Sequence, residues 1–300
     1  MLLVALSSSP SSRSGALDSQ ILTTEIAPGS GGTIAHIDLE GIIMSVGSGV
    51  SMVDEFKALV DRALKDDDVV ALVVRIQSPG GGVTASDRLH HIISEADSRK
   101  PVIAYLDTIA ASGGYYAACG ARHVATHPQT LTGSIGVIMQ SINYHELLDK
   151  VGLEVQVFKS GALKDFLSGS RPSTELEVSH VEALVEESYG RFLEVVAGSR
   201  PFSVSELRNM PETDGRIFSG TAAVESRMAD SLGFIESAYD VARQEAGAPN
   251  ASVTRYHLRR GLFGSLGLFA QGEPPKIEIN LTPALIPDLT AGVPYYLHLP

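Results

Sequence analysis

The sequence has a single cysteine, no tryptophan and a deficit of basic residues. Because Cys119 has no second cysteine to pair with, an intramolecular disulfide and any CxxC-type zinc or redox site are excluded. Among 300 residues, 23 are lysine or arginine and 35 are aspartate or glutamate, which gives a net charge of −12. A nucleic-acid-binding protein needs a basic face to neutralise phosphates, so we expect no nucleic-acid partner.

Long apolar runs are also missing. The longest candidates, Met1–Leu6 and Leu262–Ala270, fall well short of the about 20 residues that span a bilayer. The sequence contains no GxSxG, Walker A, HExxH or GxGxxG motif, which argues against several hydrolase, nucleotide-binding and metalloprotease classes. The nine histidines show no metal-ligand spacing. We therefore expect neither a metal nor another cofactor.

The apolar content of 44% is enough for a sizeable core, and the length suits one or two domains. Residues 1–31 are rich in serine and glycine and predict a flexible tail or the remnant of a membrane-anchor region. Residues 32–248 are predicted to form the globular domain. Residues 249–300 carry prolines and apolar clusters and predict a distinct C-terminal extension.

Within the globular part, apolar strand patterns alternate with helical ones. The pattern predicts strands at residues 33–39, 69–76, 101–106, 123–126, 134–140 and 154–159. It predicts helices at residues 53–64, 83–97, 112–119, 144–151, 174–198, 219–230 and 235–246. Such alternation is typical of an α/β fold built around a mostly parallel sheet. We expect the helix at 174–198 to pack on the core; a membrane or partner face is the alternative.

Two glycine-rich breaks follow two of the predicted buried strands. They are Ser78–Gly82 and Ala111–Tyr116. The carboxyl ends of parallel strands bind ligands, and glycines there let the backbone approach a ligand closely. Ser112 stands at the start of a predicted helix, where unpaired N–H groups favour developing negative charge. The two breaks could supply a nucleophile and an oxyanion hole; alternatively, they are tight turns and Ser112 only caps its helix.

A serine nucleophile needs a base. No His–Asp pairing follows from the spacing of the histidines, and lysine is the other option. A lysine has an unperturbed pKa of about 10.4, so it must be desolvated to act as a base near neutral pH. Lys164 follows a predicted strand and has apolar neighbours in sequence, whereas the rival Lys159 is expected to stay solvated at the strand end.

Five motifs, in this order and spacing, resemble those of peptidase family S49, the bacterial signal peptide peptidases of the short, single-repeat type. They are Ser78–Gly82, Ala111–Tyr116, Thr132–Val137, Lys159–Asp165 and Asp214–Gly220. The resemblance covers about residues 32–245. It implies a Ser–Lys serine protease on the crotonase/Clp-protease fold, with repeated ββα units and a mostly parallel sheet flanked by helices. Residues 32–248 would then be the catalytic domain.

Position by position, the resemblance assigns Ser112 as the nucleophile and Lys164 as the general base. Ser134 would hydrogen-bond and orient the lysine amine, and the backbone N–H groups of Gly81 and Gly113 would form the oxyanion hole. Side chains near Ser112, such as Ile109, Tyr115 and Tyr116, are expected to line a substrate pocket.

The resemblance implies an endopeptidase that cleaves apolar peptides, chiefly remnant signal peptides, in a ring-like homo-oligomer. Similar cellular proteins are membrane-associated with the catalytic domain outside the cytoplasm, and we expect the same here; the alternative is a cytoplasmic protein if the chain is complete as written. We expect the C-terminal extension to pack on protein, with membrane contact at Leu262–Ala270 as the minor interpretation. A phage-type head-maturation protease, a crotonase-like acyl-CoA enzyme and a non-catalytic scaffold remain alternatives.

Overall fold

The computed structural model describes residues 17–44, 50–259 and 295–297. Its strands are β1 (Ile21–Ala27), β2 (Thr33–Glu40), β3 (Val69–Ser78), β4 (Gly80–Gly82), β5 (Val102–Ala111), β6 (His123–Thr126), β7 (Leu131–Gly133), β8 (Ile217–Ser219), β9 (Ser231–Leu232), β10 (Ser252–Leu258) and β11 (Tyr295–Leu297). Its α-helices are α1 (Met52–Lys65), α2 (Val83–Asp97), α3 (Gly113–Ala118), α4 (His145–Lys150), α5 (Glu175–Ser199), α6 (Val204–Leu207), α7 (Gly220–Glu225) and α8 (Ile235–Glu245).

The central sheet has the strand order β1-β10-β2-β3-β5-β6-β9. All neighbours in this order pair in parallel except β1 and β10, which are antiparallel. Past the end of the β5–β6 pairing, β7 pairs in parallel with the last residues of β5, and β8 pairs antiparallel with β7. This arrangement confirms the predicted α/β class with a mostly parallel sheet, the architecture of the crotonase/Clp-protease fold.

Both faces of the sheet are covered, which explains the continuous apolar run of β3. Leu72, Val74 and Ile76 belong to the core that α1, α2, α3 and the end of α5 cover. Ala71 and Val73 face the opposite core, which α8 covers. Side chains alternate between the two faces of a strand, so a strand buried on both faces needs apolar residues at every position.

Four of the eight helices described, α1, α5, α6 and α7, begin at a residue whose side chain caps them. The side chain of Ser51 accepts a hydrogen bond from the N–H of Asp54 at the start of α1. At the start of α5, the Thr174 hydroxyl accepts from the N–H of Glu177, and the Glu177 carboxylate accepts from the N–H of Thr174. This reciprocal capping box satisfies two N–H groups that would otherwise lack a partner, as the Thr-x-x-Glu spacing of these residues favours.

Helix α5 packs on the core along only part of its length. Its C-terminal part is in the core, with Phe192, Leu193 and Val196 fully buried. Near its N-terminus, Leu176 and Val178 are exposed. The core-packing interpretation therefore holds for the second half of the helix, and the first half presents apolar side chains to the surface.

The region between β7 and α5 differs from the sequence prediction. Residues 134–140 and 154–159 have the alternation of strands, but the structure gives neither a regular strand. A strand needs a neighbour for its N–H and C=O groups, and no strand of the described residues lies beside 154–159. The predicted helix at 144–151 is present as α4.

The sheet includes strands from outside residues 32–248, the domain predicted from the sequence. Strand β1 lies within the predicted N-terminal tail and β10 within the predicted C-terminal extension, and the two pair with each other. Strand β10 also pairs with β2, the first strand of the predicted catalytic domain. Met1–Leu6 and Leu262–Ala270 lie outside the described residues.

The lengths and compositions of the helices contradict the expectation of a membrane-associated protein. In the described parts of the chain, none of them is both long and apolar enough to cross a bilayer. Helix α5 has sufficient length, but it carries glutamates along its course, including Glu182, Glu186 and Glu187.

A network of charged side chains ties four neighbouring strands together. Arg75 on β3 donates hydrogen bonds to Asp38 on β2 and to Asp107 on β5, at 3.0 and 2.7 Å. Arg255 on β10 donates to the second oxygen of Asp38 at 2.7 Å. Burial by itself would raise the pKa of Asp38, but hydrogen bonds from His36 and Arg75 and the charge of Arg255 outweigh it. The pKa of Asp38 is therefore held well below its usual range.

We predict that Asp38→Asn lowers the free energy of unfolding at pH 7 by about 2–4 kcal/mol, because it removes the negative charge that pairs with the guanidinium groups of Arg75 and Arg255. A carboxyl whose pKa is depressed on folding contributes stability above its unfolded pKa and loses it as the pH falls. The difference from wild type should therefore shrink below about pH 4. Denaturant unfolding at several pH values measures this. Asp61→Asn, which removes an ion pair with the exposed Lys57 on the same helix, is the control, and an equal effect there would contradict the assignment.

Candidate functional site

The two glycine-rich breaks meet at the carboxyl edge of the sheet. Strands β3 and β5 pair in parallel, and Ser78 at the end of β3 lies opposite Ala110 near the end of β5. Helix α3, which follows β5, approaches the end of β3 so closely that a Cβ at Gly114 would lie 2.8 Å from the carbonyl oxygen of Ser78. Only glycine permits this contact, and it brings Ser112 next to the segment Ser78–Gly82.

Ser112 has a strained backbone at this junction. Its φ of 53° and ψ of −116° lie in a region that residues with a side chain rarely adopt. Two hydrogen bonds hold the conformation: the N–H of Ser112 donates to the carbonyl of Gly133 at 2.7 Å, and its carbonyl accepts from the N–H of Tyr116 at 2.8 Å. Because of this sharp turn, the chain leaves the direction of β5 at Ser112.

The hydroxyl of Ser112 is buried and unsatisfied. The residue has no exposed surface, and its Oγ has no hydrogen-bond partner among the described residues. It makes no capping hydrogen bond to α3, so the interpretation of Ser112 as a simple helix cap is not supported. A buried hydroxyl without a partner is costly, which makes a functional role the natural explanation.

Ser134 follows directly on the strand beside Ser112. Ala111 of β5 lies opposite Gly133 of β7, so the residues after them, Ser112 and Ser134, leave the sheet side by side. Ser134 is buried and has a positive φ of 50°. Its N–H donates to the carbonyl of Arg216 at 2.7 Å.

Gly81 lies in a short strand whose main chain is fixed on one side. The N–H of Ile43 donates to the carbonyl of Gly80, and the N–H of Gly82 donates to the carbonyl of Ile43, both at 2.8 Å. A Cβ at Gly81 would lie 1.9 Å from the Ile43 carbonyl oxygen, so no other residue fits here. Nothing in the local sequence pattern around Ile43 indicates a bridge to a segment almost forty positions away, so its role is visible only in the fold.

Lys164 is not hydrogen-bonded to Ser112 in the described chain. The residue is exposed. The neighbouring Asp165 accepts hydrogen bonds from Arg171 and from Lys159, which hold the pKa of Asp165 well below its usual range. The ammonium of Lys159 is engaged in this ion pair, and Lys164 stands outside it.

The aromatic residues after Ser112 do not line a pocket. Tyr115 and Tyr116 are fully buried, and their hydroxyls donate to the carbonyl of Met228 and to Asp87, at 2.7 and 2.5 Å. The prediction of a pocket there is wrong for these two side chains, because α3 turns them into the core. Ile109 is half-buried. Among the described residues, no three histidine, cysteine, aspartate or glutamate side chains are placed to hold a metal ion.

Comparison with known proteins places these residues in a family. Residues 94–249 match the model of peptidase family S49, a range that includes Ser112, Ser134 and Lys164. A protein of Synechocystis sp. named as a protease is 38% identical over 71% of this chain and 74% of its own length. A protein of Enterococcus faecium named as a signal peptide peptidase is 31% identical over 74% of this chain and 66% of its own length.

A further relative is longer. Protease 4 of Salmonella typhi is 30% identical over 76% of this chain, which corresponds to 36% of that protein. The matched family, the named relatives and the crotonase/Clp-like sheet all agree with the five motifs of the sequence. The chain belongs to peptidase family S49 and is a serine peptidase.

Proposed function

We propose that the chain is an endopeptidase that hydrolyses apolar peptides, chiefly remnants of signal peptides, with Ser112 as nucleophile and Lys164 as general base. The observation that supports this most strongly is the Ser112 hydroxyl, which is buried, unpartnered among the described residues and carried on strained backbone between two glycine-rich segments. The substrate class rests on the relative named as a signal peptide peptidase.

The proposed reaction is acyl transfer. Lys164, in its neutral form, takes the hydroxyl proton as Ser112 Oγ bonds to the scissile carbonyl carbon. The N–H groups of Gly81 and Gly113 stabilise the resulting oxyanion. The protonated lysine then gives its proton to the leaving amine, the C–N bond breaks, and water hydrolyses the acyl-enzyme. Ser134 orients the lysine amine throughout.

We propose further that Lys164 reaches Ser112 from a second copy of the chain. Lys164 is exposed, and Ser112 lacks a partner within its own described chain. The segment that precedes Lys164 displays an unusual number of exposed large apolar side chains, Ile138, Ile142, Tyr144, Leu147, Val151, Leu153, Val155, Val157 and Phe158. Phe158 is 93% exposed, and large exposed apolar side chains in this number are typical of a protein–protein contact. A homo-oligomer would bury this surface and complete the site.

The remaining alternatives have less support. A crotonase-like acyl-CoA enzyme needs no serine nucleophile, so it leaves the strained, unpartnered Ser112 without a role. A phage-type head-maturation protease would share the same catalytic residues and differ in its substrate. A non-catalytic scaffold would leave the same hydroxyl unexplained.

We predict that Ser112→Ala lowers kcat/KM on an apolar fluorogenic peptide by at least about 1,000-fold, because the covalent route is lost with its nucleophile. Labelling by a fluorophosphonate, which reacts with activated serines, should be lost as well. Ser94→Ala, on the exposed face of α2, is the matched control and should keep wild-type activity. If Ser112→Ala retained both activity and labelling, another residue would have to be the nucleophile.

Lys164→Ala is expected to lose activity to a similar extent, and Lys164→Arg as well, because a guanidinium group stays protonated. Lys150→Ala, an exposed lysine at the end of α4, serves as control. An active Lys164→Ala enzyme would refute the dyad.

Mixing the two inactive variants tests whether the Ser112 and Lys164 of one site come from different copies of the chain. If the dyad is shared between subunits, equal amounts of Ser112→Ala and Lys164→Ala, dissociated and reassembled together, should recover about a quarter of wild-type activity. That is the fraction of sites that combine an intact serine with an intact lysine. Size-exclusion chromatography confirms reassembly. Mixed oligomers without activity would mean that each subunit supplies its own dyad.

A further inference from the structure

The loop that carries Lys164 is attached to helix α5 through one arginine. Nε and Nη2 of Arg171 donate to the two carboxylate oxygens of Asp165, at 3.0 and 2.8 Å. Nη1 and Nη2 of the same guanidinium donate to the two oxygens of Glu177, at 2.9 and 2.5 Å. Asp165 directly follows Lys164, and Glu177 belongs to the capping box at the start of α5. Arg171 therefore joins the neighbour of the proposed base to a regular helix through two bidentate ion pairs.

The Glu177 end of this connection is fixed in the fold. The side chain of Glu177 is 2% exposed, and its Oε2 also accepts hydrogen bonds from the N–H and the hydroxyl of Thr174, at 2.7 and 3.1 Å. The loop also contacts the start of α4, because the N–H of Tyr144 donates to the carbonyl of Gly169 at 2.8 Å. The residues that follow Lys164 are therefore held against two helices.

The carboxylate of Asp165 is a potential competitor for the amine of Lys164. Hydrogen bonds from Arg171 and from Lys159 hold the pKa of Asp165 well below its usual range, so this carboxylate stays ionised at any pH suitable for a peptidase assay. The Cα atoms of consecutive residues are about 3.8 Å apart, which brings the negative charge near Lys164. An unbalanced carboxylate favours the protonated form of a nearby amine, and a protonated amine cannot accept the serine proton. A base at position 164 therefore needs the charge of Asp165 to be compensated.

The two cations bound to Asp165 supply that compensation. Lys159 and Arg171 form an ion-paired group with Asp165 and Glu177, and its two positive and two negative charges cancel. Lys164 lies outside this group and is exposed. The other titratable side chains around the loop are His180 on α5, and His145 and Asp149 on α4.

We propose that Arg171 is a positioning residue for the proposed base: it holds the Asp165 carboxylate against the start of α5 and so keeps it from pairing with Lys164. This inference rests on the proposed role of Lys164 in catalysis. Arg171 acts on the reaction only through Asp165 and exchanges no proton itself. Its effect is that the amine of Lys164 stays available to the hydroxyl of Ser112.

Removing the positive charge of Arg171 tests the proposal. In Arg171→Gln, the ion-paired group carries one net negative charge beside Lys164. We expect the rising limb of kcat/KM with pH to move up by about one pH unit, the effect of a unit charge at about 6 Å. Below this limb, kcat/KM for an apolar fluorogenic peptide should fall about tenfold, mainly through kcat. Arg208→Gln, which breaks an exposed ion pair with Glu186 on the same helix, is the matched control and should follow the wild-type profile.

Two further variants separate the effect of charge from a merely structural role. Asp165→Asn added to Arg171→Gln removes the unbalanced charge, so the limb should return to its wild-type pH. Arg171→Lys keeps the charge and should keep the limb in place, although an ammonium cannot form the bidentate bonds. The proposal is overturned if the limb stays in place in Arg171→Gln, if it moves equally in Arg171→Lys, or if Asp165→Asn does not restore it.

Asp165→Asn by itself gives a test that does not depend on the folding of Arg171→Gln. It leaves the group with one net positive charge, which favours the neutral form of a nearby amine. The limb should therefore move to lower pH, opposite to its movement in Arg171→Gln. A limb that Asp165→Asn does not lower would also overturn the proposal.

Direct titration of the lysine separates this inference from the proposed catalysis. In a Ser112→Ala background, where no turnover occurs, NMR of carbon-13-labelled lysine side chains follows the protonation of Lys164, whose signal is identified by its loss in Lys164→Ala. The midpoint should rise with Arg171→Gln and return when Asp165→Asn is added. If no form of the protein hydrolyses peptides but the midpoint moves in this way, the catalytic proposal fails and the effect of Arg171 on Lys164 stands. If hydrolysis requires Ser112 and Lys164 but the midpoint does not move, the role of Arg171 is refuted and the catalytic proposal stands.

Discussion

The parallel pairing of β3 with β5 is the constraint on which the site depends. Two strands that run side by side in the same direction end at the same edge, so the segments that follow them must share a small space. Here those segments are rich in glycine, and the absence of a Cβ at Gly114 lets α3 pack against the end of β3. If the strands were antiparallel, Ser112 and Gly81 would lie at opposite ends of the sheet.

A second layer of pairing fixes the geometry more finely. Strand β7 continues the sheet beside the last residues of β5, and the carbonyl of Gly133 accepts the N–H of Ser112. On the other side, Ile43 holds Gly80 and Gly82 and leaves the groups of Gly81 directed away from it. The serine and the segment Gly80–Gly82 are therefore each placed by main-chain hydrogen bonds from a neighbouring segment. Such bonds can impose a strained φ because each is stabilised by the sheet behind it.

The need of a strand for a paired neighbour also explains why residues 154–159 do not form a strand. Residues 154–159 have the alternation of a strand but no neighbour among the described residues, and their apolar side chains are exposed. Lys164 follows this segment and is exposed as well. Conversely, β4 has a neighbour on each edge, and one of them comes from the end of the chain. What a strand pairs with thus decides which segments of the described chain lie beside the site and which remain exposed.

The sequence by itself determined the α/β class, most helix positions, the strands β2, β3, β5 and β6, the capping box of α5 and the family, because apolar periodicity, caps and motifs are local patterns. It also indicated that Ser112 and the segment Ser78–Gly82 could form one site, because both belong to glycine-rich breaks that follow buried strands. Only the tertiary structure decided that β1 and β10 join the sheet, that Tyr115 and Tyr116 turn into the core, and that β11 lies on β4. These features depend on contacts between residues far apart in the chain, and hydrogen bonds between such backbones leave no trace in the local sequence.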